Sequence, residues 1–321
     1  MIIKGGDAVF KETDSVRMMG TTIHLMAEGW QAGRIIERMK ELLEQYNHRF
    51  SANDDGSELA QVNQAAGQES VQVHPELFEL IQIGKQHSLP EESFLNIAIG
   101  PLIKLWRIGF DDANVPSNQA IKQVMKRIDV HQVELDAATH TVKLAQPKME
   151  LDLGALAKGY IADKIMADIQ SFAPRTAFIN LGGNLLLSGK AHHHPDSLWR
   201  VGIQHPDKPR GQNCMILKLP ACSVVTSGIY ERRLIAEDGR EFHHVFDTNT
   251  GRPIATDLAS ITIISPTSLE GEIWTTRLFG HDKATILQQV EALDRIEAIV
   301  IDQQHNIAYT SGIKSRIDAF L

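Results

Sequence analysis

Four short stretches of this chain put acids, hydroxyls, a lysine and histidines where a phosphate-bearing ligand could meet them. In DLGALAKGY (152–160) an acid precedes a glycine turn and the opening of a helix. A helix start offers unpaired N–H groups and a partial positive charge, which suits phosphate, and Lys158 lies one turn in. Asp152 can accept hydrogen bonds from a sugar or a ring N–H. The same pattern also serves a tight crossover whose glycines only permit close packing. In GEIWTTRLFG (271–280), Glu272 and Thr276 stand four apart, on one face of a helix. A carboxylate, a hydroxyl and a nearby backbone carbonyl make a hard, all-oxygen set suited to Mg²⁺ rather than zinc; the pair is equally an ordinary solvated face. VVTSGIYERR (224–233) brings Thr226, Ser227 and Gly228 to a strand end, where they can bind phosphate oxygens or form a local turn. In HHVFDTNTGRP (243–253), His243 and His244 are neighbours on a strand and point to opposite faces, so at most one shares a pocket.

Two other stretches invite a similar reading. NLGGNLLLSG (180–189) carries a glycine pair that lets a ligand lie against the backbone or closes a plain hairpin. It lacks the third glycine of a nucleotide fingerprint. AHHHPD (191–196) is a polar loop between two strands and reads as solvated.

The elements holding these residues follow from patterning. A strand is expected over 16–27, and a helix over 30–46 with Ile35, Ile36, Met39, Leu42, Leu43 and Tyr46 on one side. A short helix starts near Ser57, and another covers 75–88 with Pro75 in its first turn. A strand or turn leads into a short helix within 96–110. A helix follows over 117–128, and then two strands within 130–151. Residues 149–153 read as a strand and 155–170 as a helix; beyond them short strands dominate, broken by one helix near 268–290. Segregated helices and strands give an α+β class, with mixed or antiparallel sheets, flanking helices, a helix-richer N-terminal half and a strand-richer C-terminal half.

The chain has 321 residues and no linker or repeat, so it reads as a single domain over 1–321. A net charge of −8 argues against a nucleic-acid partner, yet a local site can still oppose it for a small anion. Cys214 and Cys222 read as free thiols. No stretch reaches the ~20 apolar residues of a membrane span, and the N-terminus carries no secretory run. The expected location is cytoplasmic for the sequence as it stands, extracytoplasmic if a leader has been removed.

Order and company make these signals specific. MGTT (19–22), FSANDDGSEL (50–59), IGPLIKLW (99–106), DLGALAKGY, INLGGN (179–184), TSGIYERR, HHVFDTNTG and the EIWTT helix together resemble the ApbE-like family of FAD:protein FMN transferases, through nearly the whole chain. The resemblance implies that FAD and Mg²⁺ are bound, and that FMN moves from FAD to a Ser/Thr hydroxyl in a motif of an acceptor protein, releasing AMP. It places flavin contacts on Met19, Leu105, Trp106, Arg107, Asp152, Lys158 and Val245. Metal ligands would fall on the Ala155 carbonyl, Glu272, Thr275 and Thr276, and the family histidine on His244. Thr226 and Ser227 would hold the remaining phosphate oxygens. His244 is the candidate base, and Trp106 or Met19 the apolar surface for a ring.

The chain departs from the family's pattern in several places. Glu272 stands where aspartate is usual, and Thr275 where a second carboxylate is common. Arg277 replaces a small residue, Gly280 comes two residues early, Arg107 replaces a glycine, and Asn53 takes a usually bulky position. These changes point to intact flavin binding with an altered metal site. Two alternatives use the same site: hydrolysis of FAD to FMN and AMP, and flavin binding without catalysis.

Overall fold

The computed structural model describes residues 9–52, 54–236 and 238–321; position 53 lies outside them. An eight-stranded sheet organises the chain. Its spatial order is Phe10–Met18, Thr21–Gly29, Thr176–Leu181, Asn184–Gly189, Ser223–Gly228, Leu258–Ser265, Glu297–Asp302 and Ile307–Tyr309. Neighbouring strands run antiparallel, and one transverse row reads His24, Asn180, Leu185, Val224, Ile264. Every residue of Leu258–Ser265 is buried, because both faces of the sheet are covered.

Helices cover one face. Ile23, Leu25, Ile179 and Leu181 pack there against Ala32–Phe50, whose stripe of Ile35, Met39 and Leu43 is fully buried, and against Ala157–Asp168. Ile261 and Ile263 meet Phe279 and Ile286 on the same side. A three-stranded sheet of Trp199–Gln204, Asn213–Leu219 and Ile317–Phe320 covers the other face, with Val224 and Ile264 against Met215 and Leu217. The α+β class stands, and both cysteines are free.

Several local expectations are corrected. The strand expected over 16–27 is a hairpin that turns at Met19 and Gly20, both at positive φ (54° and 72°). Residues 149–153 keep the alternation of a strand but pair with none. The Leu151 N–H donates to Asn63 Oδ1 (2.7 Å) and the Asp152 N–H to the Ile97 carbonyl (2.8 Å). The helix near 268–290 is two, Ser268–Leu278 and Lys283–Glu291. Asp282 restarts the chain by accepting the Thr285 N–H (2.9 Å).

Candidate functional site

The site forms where the helices Ala157–Asp168 and Ser268–Leu278 lie together on the sheet. Gly159 permits this approach: a Cβ there would stand 2.5 Å from the Ser268 carbonyl oxygen. The Asp163 carboxylate fixes the relation by accepting the Ser268 and Leu269 N–H groups, each at 2.8 Å. Thr267 and Glu270 complete a capping box on the second helix. The two helices therefore share a fixed register, and their side chains meet predictably.

One such meeting is an ion pair. Lys158 Nζ lies 2.6 Å from Glu272 Oε1, and Asn184 Nδ2 donates to the same oxygen at 2.9 Å. Asn184 is fully buried and Glu272 only 3% exposed. Ser268 Oγ donates to Asn184 Oδ1 (2.6 Å), which fixes the orientation of the amide. Thr275 is buried and donates its hydroxyl to the Glu272 carbonyl (3.1 Å), while Thr276 is half-buried on the same helix. Ala155 sits in the turn before the first helix, which has no side-chain cap. Its neighbours Leu156 and Ala157 both donate to the Leu153 carbonyl. Asp152 Oδ1 accepts the Gly154 N–H (2.8 Å), and burial pushes its carboxyl above the ordinary range while Arg232 and Lys104 pull the other way.

The adjacent histidines take different parts. His243 Nδ1 accepts the Val245 N–H (3.2 Å), so its proton is on Nε2, which donates to the Ile254 carbonyl at 2.9 Å. Both nitrogens of His243 are thus committed to the backbone. His244 Nδ1 is buried and has no partner among the described residues. Burial lowers the His244 pKa to about 4, helped by the charge of Arg232, by His243 and by Lys158. The ring is therefore neutral at pH 7 and feels the lysine of the ion pair.

Other expected residues fall differently. The Trp106 ring is fully buried between Phe242 and Phe246, with its indole N–H on the Gly251 carbonyl (3.0 Å). That corrects the expectation of a ring surface for a ligand: the indole ties the Gly100–Trp106 helix to the 247–251 turn. Leu105 packs half-buried in the same cluster. Arg107 ends that helix at φ 51°, its guanidinium 2.5 Å from Asp112 and stacked on Phe110. Met19 lies at the tip of the first hairpin, and Val245 is held by its bonds to His243 and Ile254.

Thr226 and Ser227 are successive strand residues and face opposite sides of the sheet, so they cannot grip one phosphate together. Thr226 faces the same side as Val224, pairs with Thr262 (2.8 Å between hydroxyls) and lines a cavity of about 540 Å³ with Gly20, Gly182 and Gly183. The glycine pair forms a plain hairpin turn, both N–H groups donating to Asn180 Oδ1 (3.1 and 3.2 Å).

Two residues escaped the sequence reading. Asn184 ends the INLGGN motif and holds Glu272; a polar residue directly after a glycine pair is the available signal. Arg232 lies against Gly20 and Gly109, which are remote in sequence, so no local pattern could reveal it.

The family model that matches residues 19–300 is described as the ApbE family. The chain is 38% identical to an FAD:protein FMN transferase of Klebsiella pneumoniae (strain 342), across 88% of this chain and 86% of the relative. It is 36% identical to an FAD:protein FMN transferase of Treponema pallidum (strain Nichols), across 88% and 81%. Among solved structures, the ApbE protein of Thermotoga maritima superposes with a TM-score of 0.88 at 22% identity, covering 97% of this chain and all of that one (100%). The flavin transferase ApbE of Vibrio cholerae gives 0.82 at 23%, covering 96% and 100%. These two structural matches speak to the fold.

Proposed function

The chain belongs to the ApbE family, and we propose that it works as an FAD:protein FMN transferase. A Ser or Thr hydroxyl of an acceptor protein attacks the FMN-side phosphorus of FAD. The new P–O bond forms as the pyrophosphate P–O bond breaks, and AMP leaves with the bridging oxygen. The observation that carries this reading is the cluster of Lys158, Glu272 and Asn184 between two packed helices, with the neutral, unpartnered Nδ1 of His244 within reach of the charge of Lys158.

Each group has a part. The unpartnered nitrogen of His244 takes the proton of the attacking hydroxyl. Lys158 and the uncapped helix start oppose the charge that the phosphates bring. Asp152, with one oxygen on Gly154, keeps a second oxygen for the nucleotide.

A divalent ion of hard character would draw its oxygen donors here from Glu272 Oε2, which lies outside the Lys158 and Asn184 bonds, from the Thr275 and Thr276 hydroxyls and from the Ala155 carbonyl. Mg²⁺ held there would neutralise pyrophosphate oxygens and steady the departing phosphate. Lys158 already balances Glu272, so a bound Mg²⁺ would share the carboxylate with the lysine rather than hold it alone.

The test is one incubation of the protein with FAD, Mg²⁺ and an acceptor protein carrying a Ser/Thr flavinylation motif. Covalent flavin fluorescence on the acceptor after denaturing electrophoresis supports transfer. Free FMN and AMP without labelling would replace transfer by hydrolysis. Bound, unchanged FAD would leave a flavin-binding protein without catalysis.

A further inference from the structure

Arg232 differs from the charged residues around it. Its neighbours are both engaged: Glu231 pairs with Arg210 (2.7 Å) and Arg233 with Glu241 (3.3 Å). The other cations near the site are engaged too, Lys104 with Glu150, Arg107 with Asp112 and Lys158 with Glu272. Among the described residues, no carboxylate lies within ion-pair distance of the Arg232 guanidinium, and the side chain is exposed.

The chain nevertheless gives this side chain a fitted path. Its stem passes over Gly109, where a Cβ would come within 2.8 Å of the Arg232 Cδ. Its guanidinium reaches Gly20 at the hairpin tip, where a Cβ would stand 3.3 Å from a guanidinium nitrogen. Both glycines have positive φ (94° and 72°), so each position resists a side chain on two counts. Asp152 and His244 both feel the charge of Arg232. A cation is therefore held among the hairpin tip, the 109 loop, Asp152 and the candidate base, with no carboxylate among the described residues close enough to form an ion pair with it.

We propose that Arg232 is a substrate-binding residue whose guanidinium takes pyrophosphate oxygens of the dinucleotide. This rests on the reading of FAD as substrate. A planar guanidinium offers paired N–H donors that match phosphate geometry. In a chain of net charge −8, an uncommitted arginine is also what draws a doubly charged ligand to this mouth.

The experiment compares equilibrium binding of FAD, ADP and riboflavin to the full-length protein and to Arg232→Met, with circular dichroism as the folding control. The expected result is a roughly 10- to 100-fold weaker affinity for FAD and ADP, the range of one lost charge-assisted contact. Riboflavin, which has no phosphate, keeps its affinity within about twofold. Arg232→Lys recovers part of the loss, because charge returns without the fork. Gly109→Ala, which crowds the arginine stem, weakens FAD in the same direction. Arg232→Met binding FAD as tightly as the parent protein overturns the proposal alone. A parallel fall for riboflavin overturns it as well, since the residue would then be shaping the pocket. Parent protein that binds no FAD overturns the substrate reading and this inference together.

Discussion

Lys158 Nζ and Glu272 Oε1 lie 2.6 Å apart, joining two helices across 114 positions of sequence. The two ends are unequally buried, at 30% and 3% side-chain exposure. That asymmetry decides what each deletion costs. Lys158→Met strands a buried carboxylate with only Asn184 beside it. A cost of about 3 kcal/mol is expected, at the low end for breaking a buried pair because Lys158 keeps some solvent. Glu272→Gln leaves a lysine that can turn to water, so it costs less, about 1 kcal/mol. Glu272→Gln should nevertheless abolish Mg²⁺ stimulation of turnover while FAD binding stays measurable. Urea unfolding gives the first comparison and a metal titration of turnover the second; Mg²⁺-dependent turnover surviving in Glu272→Gln removes that carboxylate from the metal site.

His244 sets a pH dependence of definite sign. Its pKa is lowered to about 4 in the folded protein, against about 6.5 in an unfolded chain. Between these values the unfolded chain binds a proton that the native state refuses. Stability therefore rises with pH across roughly 4 to 6.5 and gains nothing from this group above that window. His244→Gln should flatten that slope, so that the unfolding free energy of the variant rises relative to that of the parent protein as pH falls from about 6.5 to about 4. In turnover, the acid limb contributed by the base should lie near pH 4 in kcat/KM. His244→Ala should slow transfer by ~10²–10⁴-fold. His243→Ala should act on stability instead, because both of its nitrogens hold backbone groups.

What the sequence disclosed follows the reach of its physics. Local patterns worked: the apolar stripe marked Ala32–Phe50, Pro75 opened Pro75–Ser88, and Ser57 caps Glu58–Gln64 through the Ala60 N–H. Short signals were lost where a residue acts against its type. Met19 takes a left-handed conformation that nothing in MGTT announces, so one strand was expected where there is a hairpin. Residues 149–153 alternate correctly because Leu151 and Leu153 are buried, yet side-chain and loop groups replace the missing ladder. At the site, residue type and spacing singled out Lys158 and Glu272, but as separate phosphate and metal binders. Their pairing, and the parts of Asn184 and Arg232, depend on helix packing that no single segment encodes.

Gly159 is where that packing can be tested without touching the chemistry. An added Cβ would meet the Ser268 carbonyl oxygen at 2.5 Å and the Leu269 Cα at 2.8 Å, and both are backbone atoms that cannot rotate away. Gly159→Ala should therefore destabilise by about 1–3 kcal/mol, although alanine favours a helix interior over glycine. The same shift moves Lys158 relative to Glu272, so Mg²⁺-stimulated turnover should fall with stability. A variant more stable than the parent protein in thermal unfolding would mean that helix propensity outweighs the clash and that the helices are not held this closely.

Trp106 separates a structural tryptophan from a ligand platform. The fully buried ring fills the space beside Phe242 and Phe246, so Trp106→Ala should cost about 3–5 kcal/mol. Trp106→Phe keeps most of that volume but strands the Gly251 carbonyl, for a loss of about 1–3 kcal/mol. Because Gly251 closes the turn through its N–H on the Asp247 carbonyl (2.8 Å), the strain falls on the segment after His244 and Val245 rather than on a ligand contact. FAD affinity of folded Trp106→Phe should then stay within a few-fold of the parent protein while its unfolding midpoint drops. The reverse outcome, an unchanged midpoint with FAD binding lost, would mean that the ring meets the flavin after all and that the 100–106 helix moves aside when ligand enters.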